Sequence, residues 1–301
     1  MSIYVEQGQA TNDKHLLSLL KNFLNYNGWE DISVNPTNFT VSKVINNFRW
    51  YWYFDVGFPR NYNVTTFGLD YGYGTSPDTF YKARMNYETL FTWKDSALNY
   101  FFIYNTKPPG DNLILVIYQN DVFLTGYIGF INVLIYKQDF LQRHHICTAC
   151  YSSYSFNTYS LLVASADRGQ PYDFEHLFYY SNTHPAVRSV VGGIYRRDWK
   201  LIKFFNHNQI LPSLISDIPL LQPLPVYILI NNHWSYIGYL KDIYTCHYLG
   251  NKPTIDSFGT QNYLFVPILS NSSPIYIGSY GIGRYQTIYP YHSFAILTGE
   301  G

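Results

Sequence analysis

The sequence predicts an α+β fold that is mainly β, with antiparallel sheets in β-sandwich-like lobes and one N-terminal amphipathic helix packed on a sheet. Three observations carry this expectation. Helical periodicity is confined to one stretch, residues 12–27; beyond Gly28 the apolar residues follow an extended period; and those extended runs are rich in aromatic and β-branched residues, bounded by Asn, Gly, Pro and Asp.

The helix comes first. Thr11 or Asn12 can cap it, Asp13 stands in the first turn where the helix dipole favours an anion, and Gly28 supplies a left-handed C-terminal position. Leu16, Leu17, Leu20, Phe23 and Leu24 share one face. Strands are then expected at Phe39 to Val44, Phe48 to Phe54, Tyr100 to Tyr104, Leu113 to Tyr118 and Val122 to Tyr136. Lys107-Pro108-Pro109-Gly110-Asp111-Asn112 is the strongest turn signal and separates two apolar runs like a long hairpin. Val226 to Ile230 and Ser235 to Leu240 flank Asn231-Asn232-His233 as a second hairpin. Pro212 to Pro225 reads as an extended connector, and the tail from Ser270 as short strands returning to the main sheet. A division into residues 1–150, helix plus β lobe, and 151–301, a second β-rich lobe, follows, with one continuous domain as the alternative. Gly126-Tyr127-Ile128 and Gly238-Tyr239-Leu240 look locally alike.

Composition limits the function. Charged residues make up 13% of the chain, hydrophobic ones 47% and aromatic ones 20%, including 32 Tyr and 21 Phe. Twenty basic residues balance twenty acidic ones, so no field steers the chain toward nucleic acid or an anionic membrane. Met1 to Gly8 lacks the basic and apolar regions of a signal peptide, and no apolar run is long enough for a membrane span. The expectation is a product made in the cytoplasm whose tyrosine-rich surface is covered by other subunits, because Tyr offers apolar area with a polar tip.

Few residues suggest chemistry. His144-His145-Ile146-Cys147-Thr148-Ala149-Cys150, with Cys246-His247 downstream, offers sulfur and imidazole ligands suited to zinc. Cys147, Cys150, Cys246 and His247 are therefore the metal candidates, although one adjacent Cys-His pair is a poor second knuckle. The expectation is ordinary buried cysteines and no cofactor, with a zinc-stabilised domain as an alternative. No Gly-x-Ser-x-Gly elbow is present, and His176 and His184 near Asp167, Asp173 and Glu175 read as a polar loop, so no enzyme is expected. Gly72-Tyr73-Gly74 and Gly278 to Gly283 read as turns. Trp50, Tyr51, Trp52 and Tyr53 alternate between faces if extended: one face suits the core, the other a neighbouring subunit or a glycan ring. Tyr227 and Tyr239 join them as interface candidates.

Tyr4-Val5-Glu6-Gln7-Gly8-Gln9-Ala10-Thr11-Asn12, a Leu-rich helix and Asn27-Gly28-Trp29 resemble the start of a group of tailed-bacteriophage virion proteins. Pro219 to Ile228 followed by Tyr236 to Tyr244, and Tyr263-Leu264-Phe265-Val266-Pro267, are similar to later strands of that group. The chain departs from it in heavier Tyr and Asn content and in lacking a Gly-rich basic centre. The resemblance implies a structural component of a contractile phage tail, at the baseplate or the junction of tube, sheath and baseplate. Such a protein is assembled in the host cytoplasm and acts through homo- or hetero-oligomeric contacts with other tail subunits during assembly and contraction. A receptor- or glycan-binding module for fibre attachment is the alternative.

Overall fold

The computed structural model describes residues 2–33, 38–56, 67–87, 97–119, 122–133, 145–150, 162–163, 187–189, 221–230, 233–247, 252–267, 275–278, 285–288 and 292–300. Its first elements are β1 (Ile3–Ala10) and α1 (Asp13–Tyr26), then β2 (Glu30–Asp31), β3 (Asn38–Ile45), β4 (Phe48–Val56), β5 (Phe67–Ser76) and β6 (Thr79–Tyr87). β7 (Leu98–Asn105), β8 (Asn112–Gln119), β9 (Val122–Phe130), β10 (Asn132–Val133), β11 (His145–Cys150), β12 (Leu162–Val163) and β13 (Val187–Ser189) follow. The rest are β14 (Gln222–Ile230), β15 (His233–His247), β16 (Thr254–Phe258), β17 (Gln261–Pro267), β18 (Ile275–Gly278), β19 (Tyr285–Ile288) and β20 (His292–Glu300).

These strands form a five-stranded meander β2-β3-β4-β5-β6, a six-stranded sheet β1-β7-β8-β9-β11-β12 and a seven-stranded sheet. The last runs β13-β14-β15-β20-β17-β16, with β10 added on β15, and β18-β19 is a separate ribbon. All pairings among the described residues are antiparallel. Among the described residues the fold is thus mainly β with one N-terminal helix, as the periodicity predicts.

The six-stranded sheet is the middle layer. Its side chains alternate between two cores: Tyr100, Phe102, Tyr104, Leu113, Leu115, Ile117 and Leu124 pack with α1 and the meander. Phe101, Ile103, Ile114, Val116, Phe123 and Tyr127 pack with Leu240, Ile243, Leu264, Val266, Phe294 and Ile296 of the seven-stranded sheet. Being covered on both faces explains why 98–105 and 112–119 read as continuous apolar runs rather than alternating ones. At about 25 cal/mol per Å² of apolar surface removed from water, such double burial is the main stabilising term.

Local chemistry places α1. Asn12 accepts from the His15 backbone N–H at 2.8 Å, Gly28 has φ +83°, and Leu16, Leu17, Leu20, Phe23 and Leu24 are the buried face. Phe23 reaches Phe102 at a ring-centroid distance of 5.7 Å. The Lys107 to Asn112 segment joins β7 to β8, which pair from Asn99↔Tyr118 to Asn105↔Asn112. The second expected hairpin pairs Ile230 with His233, while 231–232 lie outside the described residues.

Several sequence expectations change. Gly72-Tyr73-Gly74 is the middle of β5, opposite Tyr53, Trp52 and Tyr51, not a turn. Glycine there leaves room beside the tyrosines of β4. The run from Val122 ends as a strand at Phe130; Asn132 and Val133 then cross to β15 opposite Tyr239 and Gly238. Gly129, at φ +138°, precedes the crossing. Gln222 to Pro225 belong to β14 rather than to a connector, with register shifts beside the two prolines, which cannot donate to a ladder. β1, β5 and β6 are strands that the sequence reading did not assign. In the tail, β20 enters the seven-stranded sheet between β15 and β17.

Candidate functional site

Two groups of side chains stand out from the apolar cores: a polar junction where the three sheets meet, and an aromatic face on the outer side of the meander. The junction begins with Lys43. In β3 the inward positions are Phe39, Val41, Lys43 and Ile45, opposite Phe54, Trp52, Trp50 and Phe48. Lys43 is thus the one charged residue of that inward set. Its Nζ donates to Tyr104 Oη at 2.8 Å and to the Asn27 carbonyl at 3.1 Å, and lies 2.9 Å from Asp111 Oδ2. Tyr104 Oη also accepts from Trp29 Nε1 at 3.1 Å and donates to Asp111 Oδ2. Burial first, and then the Asp111 charge, hold the Tyr104 hydroxyl in its protonated form far above the usual phenol range.

On the other side of the middle sheet, Lys241 and Asp242 of β15 reach the same loop. Lys241 is 2% exposed; its Nζ donates to the carbonyls of Lys107 and, at 2.9 Å, Gly110. Burial pushes its pKa down to about 8, against the pull of Asp242 and Asp111. Asp242, at φ +64°, accepts from Asn105 Nδ2 at 2.6 Å, and burial raises its carboxyl. Asn112 Nδ2 donates to the Lys241 carbonyl at 3.4 Å. The segment 105–112 is therefore held from the meander by Lys43 and from the seven-stranded sheet by Lys241 and Asp242. The charges are matched to one another and to backbone carbonyls, which makes this a tie between layers.

A second buried polar feature is His145 of β11, fully buried and boxed by aromatic rings. Its ring stacks on Trp50 at 4.4 Å, approaches Tyr73 at 4.6 Å and meets the edge of Phe130 at 4.7 Å. Trp52 Nε1 donates to His145 Nε2 at 2.8 Å, while Nδ1 has no hydrogen-bond partner among the described residues. Burial pushes the imidazole pKa well below its ordinary value, so the ring is neutral.

The aromatic face comes from the same β4 alternation. Trp50 and Trp52 point inward, 1% and 0% exposed, with Trp52 stacked on Trp29 at 3.9 Å. As core residues they are withdrawn from the interface set. Tyr51 and Tyr53 point outward and are half-buried. Phe80 stacks on Tyr53 at 5.1 Å, Tyr53 donates to Asp55 Oδ2 at 2.7 Å, and Arg49 borders the strip, paired with Glu30 at 3.0 Å.

Cys147 is buried in the core between the middle sheet and the meander, and Cys246 in a cluster with Tyr263 and Phe265 within the seven-stranded sheet. The structure does not bring these two thiols together. Burial raises both, Cys246 to about 12, which disfavours the thiolate a metal needs. Among the described residues no group of three or more His, Cys, Asp or Glu is placed to hold a metal. Tyr239 is half-buried in β15, and Tyr227 lies in β14 opposite Tyr236. The side chains of Tyr227, Cys150 and His247, and the whole of His144, Asp167, Asp173, Glu175, His176 and His184, lie outside the described residues.

Sequence reasoning missed Lys43, Tyr104, Asp111, Lys241 and Asp242. The available signal was Lys43 itself, a charge at an inward position of an alternating strand. No family model matches the chain, and no curated protein matches it.

Proposed function

We propose that this chain is a structural subunit of a tailed-phage tail, at or near the baseplate, working through protein contacts rather than catalysis. The observation that carries the reading is the pairing of sparse charge with apolar groups left outside. Only 13% of residues are charged, while Tyr26 is 85% exposed, Val44 56%, Ile255 47% and Phe48 41%. Val44 and Phe48 flank a hairpin tip whose Asn46 and Asn47 both have positive φ, the turn that presents a rigid corner. Asn46 Nδ2 fixes that corner by donating to the Pro109 carbonyl at 2.7 Å. The sheet-to-sheet ties at Lys43 and Lys241 suit a part that must keep its shape while neighbours press on it. Mass spectrometry of gradient-purified particles of the encoding phage tests this. The chain should be present in stoichiometric amount with other tail proteins; particles lacking it would overturn the reading.

A second reading, glycan binding, is favoured by the outer strip of Tyr51, Tyr53 and Phe80 bordered by Arg49 and Asp55. Flat rings beside hydrogen-bonding groups suit the apolar face and hydroxyls of a sugar. Titration with host surface polysaccharide, comparing Tyr51→Ala and Tyr53→Ala with the unaltered chain, decides it: binding lost in both variants supports it, and no binding by the unaltered chain removes it.

A further inference from the structure

We propose that two copies of this chain associate edge to edge through β1, pairing antiparallel about a two-fold axis at Gln7 so that the six-stranded sheet continues from one copy into the other. β1 is the terminal strand of that sheet, bonded along its whole length to β7 from Ile3↔Asn105 to Ala10↔Leu98, with no second neighbour among the described residues. Among the described residues its other side is a row of backbone donors and acceptors, the geometry that accepts an added strand. The inference rests on this edge alone and not on the phage reading.

A terminal strand of the neighbouring sheet is protected differently. β16, one edge of the seven-stranded sheet, follows Lys252 and Pro253 and carries Asp256, residues that oppose strand addition. β1 has no Lys, Arg or Pro, and its one charged residue is Glu6. Glu6 does not guard the edge, because Tyr100 Oη donates to its carboxylate at 3.0 Å. Tyr100 lies opposite Gly8, and its hydroxyl would be 2.8 Å from a Cβ there, so the ring crosses the bare glycine to reach Glu6. Tyr4 and Val5 remain exposed, 38% each, on opposite faces of the strand.

Symmetry selects the register. A two-fold axis perpendicular to a sheet keeps each side chain on its own face, so opposed residues must both be odd-numbered or both even-numbered. Only the pairings centred on Glu6 or on Gln7 keep nearly all of β1 in the ladder. The first sets Glu6 against the partner's Glu6, two like charges face to face. The second sets Tyr4 against the partner's Ala10, Val5 against the partner's Gln9, Glu6 against the partner's Gly8 and Gln7 against the partner's Gln7. It opposes no like charges and covers both exposed apolar residues.

Sedimentation of the full chain across the micromolar range, with the variants Val5→Lys, Gln7→Cys and Gln9→Cys, tests this. The unaltered chain should sediment as a dimer. Val5→Lys, with an unchanged circular dichroism spectrum, should weaken that dimer by about tenfold or more. Under oxidising conditions Gln7→Cys should cross-link two chains much faster than Gln9→Cys, since only position 7 faces itself. A monomer throughout, a larger assembly, or a dimer whose cross-linking does not favour position 7 would overturn the proposal.

Discussion

Lys43 Nζ and Asp111 Oδ2 lie 2.9 Å apart, joining the inward face of the meander to the loop that leads into β8 of the middle sheet. Both contact the Tyr104 hydroxyl, so three side chains from two layers act as one unit.

Removing one partner should therefore cost more than removing both. Lys43→Met leaves the Asp111 carboxylate, 8% exposed, without its cation and should lower stability by about 3 kcal/mol. Lys43→Met combined with Asp111→Leu should lose less than that single change. Urea unfolding of the three proteins measures the difference; additive losses would contradict the coupling.

Lys241 predicts an alkaline effect of definite sign. Its pKa is about 8 folded against 10.5 ordinarily, so between those values the unfolded chain binds more protons and stability from this group rises with pH. Tyr244 and Cys246, each raised to about 12, act oppositely, holding protons in the folded chain that the unfolded chain has released. The unaltered chain minus Lys241→Met isolates the lysine. That stability difference should increase from pH 8 to 10.5, and a flat difference would remove the assignment.

His145 gives the acid counterpart. Folded, its pKa is far below 6.5; unfolded, it takes up a proton below about 6.5, so stability falls as pH falls from there. His145→Phe keeps a ring in the aromatic box and should flatten this part of the pH profile. Trp52→Phe, which removes the donor to His145 Nε2, should cost about 1–3 kcal/mol at neutral pH. Thermal unfolding between pH 5 and 8 reads both.

Gly126 marks the closest approach of the middle sheet to the meander. A Cβ there would lie 2.2 Å from Tyr71 Oη and 2.7 Å from Met85 Cε. Gly126→Ala should destabilise by about 1–3 kcal/mol, because both neighbours are buried and have little room to shift. Chemical denaturation checks it against Gly299→Ala, whose Cβ meets nothing.

Zinc should be absent from the purified chain, and a chelator should leave its melting temperature unchanged. Cys147 and Cys246 sit in different apolar clusters with pKa values raised by burial. Elemental analysis showing one bound zinc per chain would reverse this.

The helix was legible in the sequence because its determinants are local: Asn12 caps three residues ahead, Gly28 stops it, and a Leu stripe needs only the helical repeat. The strongest strands were legible because β-branched and aromatic runs between turn residues leave few alternatives. β5 was not, since Gly72 and Gly74 resemble a turn until the tyrosines of β4 are placed beside them. β1 was not, since Gln7, Gly8 and Gln9 give a weak strand pattern that only pairing with β7 makes regular.

By itself the sequence determined an aromatic, sparsely charged chain of zero net charge, with a capped helix and strands rich in aromatic and β-branched residues. The tertiary structure alone decided that β1 closes on β7 across the inserted helix and meander, that Lys43 meets Asp111, and that Lys241 holds the loop before β8. Periodicity along a strand records whether a side chain turns inward, a property of its own residue. Which group it meets there depends on sheets joined across long stretches of chain, and that no local pattern encodes.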